Sequence, residues 1–88
     1  MDAQKPIRLS QHAQEQLRYR GTTAEEITEA IHTTKWQPAE LDRVECRKTL
    51  AYGRDWNGTV YPTKQVRPIF VEEAHEIVVV TVYVYYRR

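Results

Sequence analysis

The sequence predicts an α+β domain in which two N-terminal helices pack on one face of an antiparallel sheet of three or four strands. Two stretches with helical spacing of apolar residues come first, over residues 11–20 and 24–33. Stretches rich in β-branched and aromatic residues follow, and the most regular one runs from Ile77 to Tyr86 without Gly or Pro. Because strands joined by short polar turns usually pair antiparallel, one sheet face is expected under the helices and the other partly open.

End signals support both helices. Ser10 is a suitable N-cap for the first helix, and Gly21 is the residue type that commonly follows a helix C-terminus. Thr23 opens the second helix with a capping box, in which a glutamate three residues later reaches back to the cap. Neither helix is long enough to be stable alone, so both are expected to pack on the sheet as a hairpin.

The remaining segments are assigned from turn residues and from alternation. Residues 1–5 are expected to be frayed, and residues 6–9 to be extended. Residues 53–65 are predicted to be a long irregular connection, because they contain Asp55-Trp56-Asn57-Gly58 and Tyr61-Pro62, which are turn signals. The predicted sheet then consists of an edge segment, two strands and the central strand, over residues 36–42, 44–52, 66–72 and 77–86.

The central strand is predicted to have two different faces, because side chains alternate along a strand. One face is aliphatic and is expected to lie against the helices, with Val80 and Val82 almost fully buried. This face carries Val78, Val80, Val82 and Val84. The opposite face begins aliphatic and ends with hydroxyl groups, as expected for a strand that forms the floor of a groove: Ile77, Val79, Thr81, Tyr83 and Tyr85.

Length and composition restrict the class of protein. The chain has 88 residues, 41% of them hydrophobic and 28% charged, so residues 1–88 are expected to form one globular domain. The net charge of +1 excludes a strong overall attraction to nucleic acid but permits a local basic patch. Cys46 is the only cysteine, and no apolar run approaches the ~20 residues that span a bilayer, so a cytoplasmic protein without a membrane segment is expected.

The sequence gives no reason to expect a metal or a cofactor. The three histidines and the single cysteine are scattered, without the short spacing that metal ligands usually show. Three glycines do not form a glycine-rich phosphate loop. Nucleotide-driven chemistry is therefore not expected.

His12 and Arg20 are the first candidates for chemistry. Histidine titrates near neutral pH and suits a general acid or base, although a half-exposed helical histidine bonded to a carbonyl is the structural alternative. Arg20 lies towards the core side of its helix, where its guanidinium needs a partner. It could clamp a phosphate or carboxylate, or it could neutralise its own helix terminus and pair with a sheet carboxylate.

Cations and aromatic rings are interleaved on the predicted sheet. Phosphates held by cations and bases stacked on rings are the two features that recognition of single-stranded RNA requires. The structural alternative is a solvated face with cross-strand Arg–Glu and Tyr–Arg pairs. The candidate RNA-binding residues are Arg47, Lys48, Lys64, Arg67 and Tyr85.

Four segments together resemble a bacterial family, domain of unknown function 4258. Leu9-Ser10-Gln11-His12-Ala13, followed by Arg20-Gly21-Thr22-Thr23-Ala24-Glu25-Glu26-Ile27, resembles the opening motif of that family. Its last hairpin is resembled by Arg67-Pro68-Ile69-Phe70-Val71 and Val78-Val79-Val80-Thr81-Val82-Tyr83. The resemblance covers nearly the whole chain apart from residues 53–65. The family often has a second arginine midway along the first helix, where this chain has Gln16.

The resemblance implies a fold similar to that of the RelE and ParE toxins, and a metal-independent ribonuclease of a toxin–antitoxin pair. Under it, His12 would act as acid or base and Arg20 as a phosphate clamp. Thr81 and Tyr83 would act as hydroxyl donors. The implied partners are an RNA substrate and an antitoxin protein. The alternative is a non-catalytic module that binds a protein partner through the open sheet face or a strand edge.

Overall fold

The computed structural model describes residues 5–88, which form an α+β fold with two helices and a six-stranded mixed sheet. The helices have the predicted bounds, α1 (Gln11–Arg20) and α2 (Ala24–Thr33). The fraying expected for residues 1–4 lies outside the described residues, whereas Lys5 is held by an ion pair with Glu72 at 3.0 Å. The strands are β1 (Ile7–Leu9), β2 (Gln37–Pro38), β3 (Val44–Glu45), β4 (Lys48–Trp56), β5 (Thr59–Glu72) and β6 (Ile77–Arg87).

The sheet is larger than predicted and is not purely antiparallel. Its order is β1-β6-β5-β3-β2, and β4 also pairs with β5, along the edge that β3 occupies further on. β1 pairs with β6 in parallel, with Ile7 beside Ile77 and Leu9 beside Val79. The extended residues 6–9 therefore contribute a strand, and the prediction of three or four antiparallel strands was wrong in number and in the direction of this pairing.

The prediction of an irregular connection over residues 53–65 was also wrong. β4 and β5 form a long hairpin that turns at Asn57 and Gly58. Both turn residues have positive φ, 52° and 91°, as a two-residue turn that suits the twist of the strands requires. Asn-Gly is the preferred pair in such turns, so this turn signal indicates a hairpin. Pro62 is accommodated within β5 because it lies opposite a register irregularity in β4.

A β-bulge in β6 interrupts its alternation. The register with β5 shifts between Thr81, which pairs with Ile69, and Val79, which pairs with Phe70. Val80 is the extra residue on the β6 side of this shift. Because a bulge of this kind adds one residue to the strand, odd-numbered side chains face one side of the sheet before it and the other side after it.

The bulge decides which residues of β6 enter the core. Ile77 and Val79 pack into the core before the bulge, and Val82 and Val84 do so after it. Val82 is fully buried, as predicted, but Val80 is only partly buried. The prediction of one continuous aliphatic face was therefore wrong for the first half of the strand, because it assumed one residue per rung throughout.

Gln16 of α1 satisfies backbone and side-chain groups at the bulge. β1 ends at Leu9, so beyond Val79 no strand within residues 5–88 pairs with this edge of β6. The Oε1 atom of Gln16 accepts hydrogen bonds from the Val82 amide at 2.9 Å and from Thr81 Oγ1 at 2.7 Å. Gln16 is itself buried. Gln16 thus supplies to the Val82 amide the acceptor that a neighbouring strand would otherwise supply.

The core lies between the two helices and one face of the sheet, with α1 on β6 and α2 on β5. Trp36 closes it at one side, where its ring meets Phe70 edge-on with centroids 5.0 Å apart. Over the described residues, neither helix is long and apolar enough to cross a bilayer. The core residues with the least exposure are Ala13, Ile27, Ala30, Ile31, Cys46, Val66, Phe70, Val79 and Val82.

The turn between the helices is fastened to the sheet. Gly21 adopts a left-handed conformation with φ 76°. The Tyr86 hydroxyl donates to the Arg20 carbonyl at 2.6 Å, and the buried Lys64 ammonium donates to the Gly21 carbonyl at 2.8 Å. The Tyr86 ring stacks on Trp56 with centroids 4.7 Å apart. Burial raises the pKa of Tyr86 to about 12, so its hydroxyl stays protonated and able to donate at neutral pH.

Gly21→Ala is expected to lower the free energy of unfolding by about 2–4 kcal/mol, through left-handed strain and overpacking. A Cβ at Gly21 would lie 2.2 Å from Tyr86 Oη and 2.6 Å from Trp56 Cζ3. Gly53→Ala is the matched control, because its φ is 67° but no atom lies within 4 Å of its Cβ position. It should cost only about 1–2 kcal/mol. Urea unfolding measures both, and equal losses would contradict the close approach at Gly21.

Candidate nucleic-acid interface

The sheet face that points away from the helices carries a cluster of polar and aromatic side chains. We call it the open face, and its defining residues are Glu45, Arg67, Thr81, Tyr83 and Tyr85. Arg67 lies opposite Tyr83 across the β5–β6 pair. It alternates along β5 with Val66 and Pro68, which are fully buried on the helix side. The phase change at the bulge places the β6 members of the cluster on this face.

The Arg67 guanidinium is held in a fixed orientation at the centre of the open face. Its Nε and Nη2 atoms donate to Glu45 Oε1 at 3.1 and 2.5 Å, and its Nη1 atom donates to the Tyr85 hydroxyl at 3.0 Å. A guanidinium has five N–H donors. One N–H on each terminal nitrogen therefore remains unused by the contacts of the described residues. The side chain is 24% exposed, so these donors are within reach of a ligand.

Glu45 is the residue that orients Arg67. Its second carboxylate oxygen accepts from Arg47 Nε at 3.4 Å, so both oxygens face cations. The hydrogen bonds from Arg67 hold the pKa of the Glu45 carboxyl below its usual value, although burial acts in the opposite direction. The same hydrogen bonds are the main cause of a raised pKa of Arg67. The pair therefore stays fully ionised at neutral pH, and Glu45 is suited to holding a cation and not to accepting a proton.

Tyr83 is flanked by two arginines. The Cζ atoms of Arg20 and Arg67 each lie 5.4 Å from the centroid of its ring. Arg20 comes from the C-terminal end of α1, so the helix brings a second cation to the open face. Tyr83 as a whole residue is 36% exposed, so it lies at the surface of the open face.

A groove of about 310 Å³ lies on the open face under the loop that joins β2 to β3. The sheet contributes Glu45, Arg67, Ile69, Thr81 and Tyr83 to its lining. The loop contributes Ala39, Glu40, Leu41 and Arg43. This volume is at the lower end of the range of roughly 300–1,000 Å³ that is typical of small-ligand sites.

Three of the four predicted catalytic residues lie on or beside the open face. Thr81 and Tyr83 line the groove, and Arg20 reaches the ring of Tyr83. The Thr81 hydroxyl already donates to Gln16. His12 is exposed in the first turn of α1, in the helical row that continues through Gln16 to Arg20. Within residues 5–88, His12 makes no hydrogen bond or ion pair, and it does not line the groove.

The predicted RNA-binding residues divide between the two sides of the sheet. Arg67 and Tyr85 belong to the open face, and Arg47 joins them through Glu45 with 48% of its side chain exposed. Lys48 and Lys64 occupy positions that face the helices. Their ammonium groups lie 3.5 and 2.9 Å from carboxylates of α2. Both lysines are therefore engaged away from the open face, and Lys64 is buried.

Sequence reasoning missed several residues of this interface. The position of Glu45 on the open face could be predicted, because Glu45 alternates with apolar neighbours in a predicted strand and can face an arginine across the sheet. The positions of Leu41 and Arg43 could not be predicted, because the placement of a loop residue does not follow from hydrophobic periodicity. Helical spacing places Gln16 on the flank of α1 between His12 and Arg20, and it departs from the family motif, but neither feature indicates that its amide oxygen accepts from the bulge.

Comparison of the chain with protein-family models, with curated proteins and with solved structures finds no match. In the part of the chain from residue 5 onward, no three His, Cys, Asp or Glu side chains cluster so as to hold a metal ion. Function is therefore inferred from the open face itself.

Glu45→Gln is expected to lower the free energy of unfolding at pH 7 by about 1–3 kcal/mol, because it removes charged hydrogen bonds to Arg67. Since the pKa of Glu45 is lowered by folding, its contribution is present above the unfolded pKa of about 4.3 and is lost as the pH falls through the folded pKa. The difference between wild type and variant should therefore shrink below about pH 4.

Denaturant unfolding at several pH values measures this difference. Glu15→Gln is the control, because Glu15 is an exposed carboxylate on α1. It should stay within about 0.5 kcal/mol of wild type. A Glu45→Gln difference that is unchanged by pH would contradict the role given to the carboxylate.

Proposed function

We propose that the protein binds single-stranded RNA on the open face and acts there as a metal-independent, toxin-like ribonuclease. The observation that supports this proposal best is the arrangement of Arg67 beside Tyr83. A pre-oriented guanidinium with unused donors lies next to an exposed aromatic ring. The cellular setting proposed with it is the cytoplasm, and the fold would be a variant of the RelE-like arrangement of two helices followed by a sheet.

The two groups match the two parts of a nucleotide. The unused N–H groups on the terminal nitrogens of Arg67 can donate to the oxygens of one phosphate. A base can stack on the ring of Tyr83 in place of one of the two arginine side chains that lie over it. Such stacking is worth about 1–3 kcal/mol per base in proteins that bind single strands. Bases in a duplex are not accessible in this way, so the site favours unpaired RNA.

The local charge supports the same ligand class. The chain as a whole carries a net charge of only +1. The groove lining itself is balanced, with Arg43 and Arg67 against Glu40 and Glu45. Arg20 and Arg47 lie beside it and exceed the one further carboxylate of the loop, that of Asp42, so the surroundings of the groove are locally positive. A positive patch on a nearly neutral protein attracts a polyanion to one surface without strong binding elsewhere.

Cleavage of RNA without a metal would need a base, an acid and cations. Arg67 would hold the phosphate in the groove, and Arg20 of α1 would stabilise the next phosphate, which is the one cleaved. His12 would transfer protons, because Glu45 is committed to Arg67 and remains ionised. A strand that crosses from the groove over the α1–β6 edge would bring its next phosphate towards His12, and the hydroxyl of Tyr83 would lie beside its path. There His12 would take the proton of the 2′-hydroxyl as that oxygen attacks phosphorus, and would return it to the 5′-oxygen that leaves, so that a 2′,3′-cyclic phosphate remains.

A second candidate function is supported by the outer edge of β4. Among the strands of residues 5–88, none pairs with this edge. An unpaired edge can accept an extended segment of a partner protein by strand addition. An antitoxin, or a partner of a non-catalytic module, would dock there and leave the open face free.

Tyr83→Leu is expected to weaken the binding of a short single-stranded RNA by about 5- to 150-fold, because it removes the stacking ring. Arg20→Ala should weaken it more than Arg54→Ala, which removes the same charge from the distal β4–β5 hairpin. Fluorescence anisotropy of a labelled RNA measures all three affinities. Equal effects of the two arginine variants would show that binding depends only on overall charge.

His12→Gln is expected to abolish cleavage of the same RNA in the presence of EDTA, while binding and stability stay near wild type. Stability should change by no more than about 0.5 kcal/mol, because His12 is an exposed helical residue. Gel analysis of the RNA after incubation measures cleavage. A wild-type protein that binds RNA and leaves it intact would contradict the ribonuclease assignment, and one that binds only a protein partner would favour the second candidate.

A further inference from the structure

The loop between β2 and β3 holds an exposed leucine in an unfavourable backbone conformation. Leu41 and Asp42 have φ values of 61° and 60°, both in the left-handed region. For a bulky residue this conformation is strained, and strain of this kind is retained where the surroundings fix it or function uses it. The Leu41 side chain is 79% exposed, so burial in the core does not explain it.

The loop is fixed by its own hydrogen bonds and placed over the groove. The Ala39 amide donates to the Arg43 carbonyl at 2.8 Å, and the Arg43 amide donates to the Glu40 carbonyl at 3.2 Å. Leu41 and Tyr83 both line the groove, one from the loop and one from β6. Two exposed residues with apolar surface therefore line one small groove, and Arg67, which has two unused donors, lines it as well.

We infer that this groove receives one unstacked nucleobase of single-stranded RNA, held between the side chain of Leu41 and the ring of Tyr83. The inference rests on the proposed function and deepens it. The phosphate next to that base would lie on the two unused N–H groups of Arg67. Leu41 would be a specificity-determining residue, because it contacts a base and no phosphate.

The size and chemistry of the groove favour this occupant. A groove of about 310 Å³ has room for a single nucleotide and excludes a duplex. A site that bound phosphate alone would have no use for an exposed leucine and a tyrosine ring in its lining. The base must leave the stack of its neighbours to enter, which is possible at low cost only in a single strand.

The test compares RNA with a ligand that has phosphates but no bases. Leu41→Ser is expected to weaken binding of a single-stranded RNA of about eight nucleotides by roughly tenfold, through loss of a buried apolar contact. It should leave binding of inorganic polyphosphate and of duplex RNA unchanged. Leu41→Met should bind like wild type, and Val60→Ser, which alters another exposed aliphatic residue, should too.

Leu41→Gly adds a second readout that a purely structural role would not give. Glycine adopts the left-handed conformation without strain, so this variant should melt at a higher temperature than wild type and yet bind RNA as weakly as Leu41→Ser. A lower melting temperature together with weaker binding would show that Leu41 supports the loop, and would overturn the inference.

The remaining outcomes separate this inference from the proposed function. If wild type binds RNA through Tyr83 and Leu41→Ser binds equally well, only the base-holding role of Leu41 is overturned. If Leu41→Ser weakens polyphosphate binding as much as RNA binding, the base-holding role of Leu41 is again overturned and the proposed function is not. If wild type binds no RNA, or binds a protein partner on this face instead, both the proposed function and the inference are overturned.

Discussion

The structure depends on the β-bulge in β6 and on the side-chain oxygen of Gln16, which accepts hydrogen bonds beside that bulge. That oxygen accepts from the Val82 amide and from the Thr81 hydroxyl, at the point where β6 has lost its parallel neighbour β1. Without such an acceptor, a backbone N–H at the helix–sheet junction would be buried unpaired, which costs about 1–3 kcal/mol. The bulge and the residue that satisfies it therefore stabilise each other.

The bulge also makes the two faces of the sheet chemically different. Ile77 and Val79 face the helices before it. If β6 alternated strictly, residues of the same parity after it would face the helices too, and the hydroxyls of Thr81, Tyr83 and Tyr85 would enter the core. The extra residue turns these side chains to the open face and brings Val82 and Val84 to the helices. One inserted residue thus produces both the dry core and the polar surface on which the functional proposals rest.

Local signals in the sequence were sufficient for the helices and insufficient for the sheet. Ser10, Gly21 and Thr23 mark the ends of α1 and α2 through short-range hydrogen bonds, and both helices have the predicted bounds. The prediction of an irregular connection over residues 53–65 rested on two turn signals, but Asn57-Gly58 is the turn of a hairpin and the residues on both sides of it are paired strands. The bulge depends on a contact between Gln16 and Val82, which are 66 positions apart, so no local pattern in β6 indicates it. The candidate site shows the same contrast between local signals and tertiary structure. Arg67 and Tyr83 are candidates from their strand positions, whereas the placement of Leu41 depends on the geometry of a loop.

Binding of single-stranded RNA at the open face can be followed residue by residue through amide chemical shifts during titration with a short RNA. If RNA binds there, we expect saturable shifts at Leu41, Arg67, Thr81 and Tyr83, and little change at Ile27 and Ala30, which lie in α2 on the opposite face of the sheet. Shifts confined to the outer edge of β4 or to the exposed surface of α2, or no shifts at all, would contradict it.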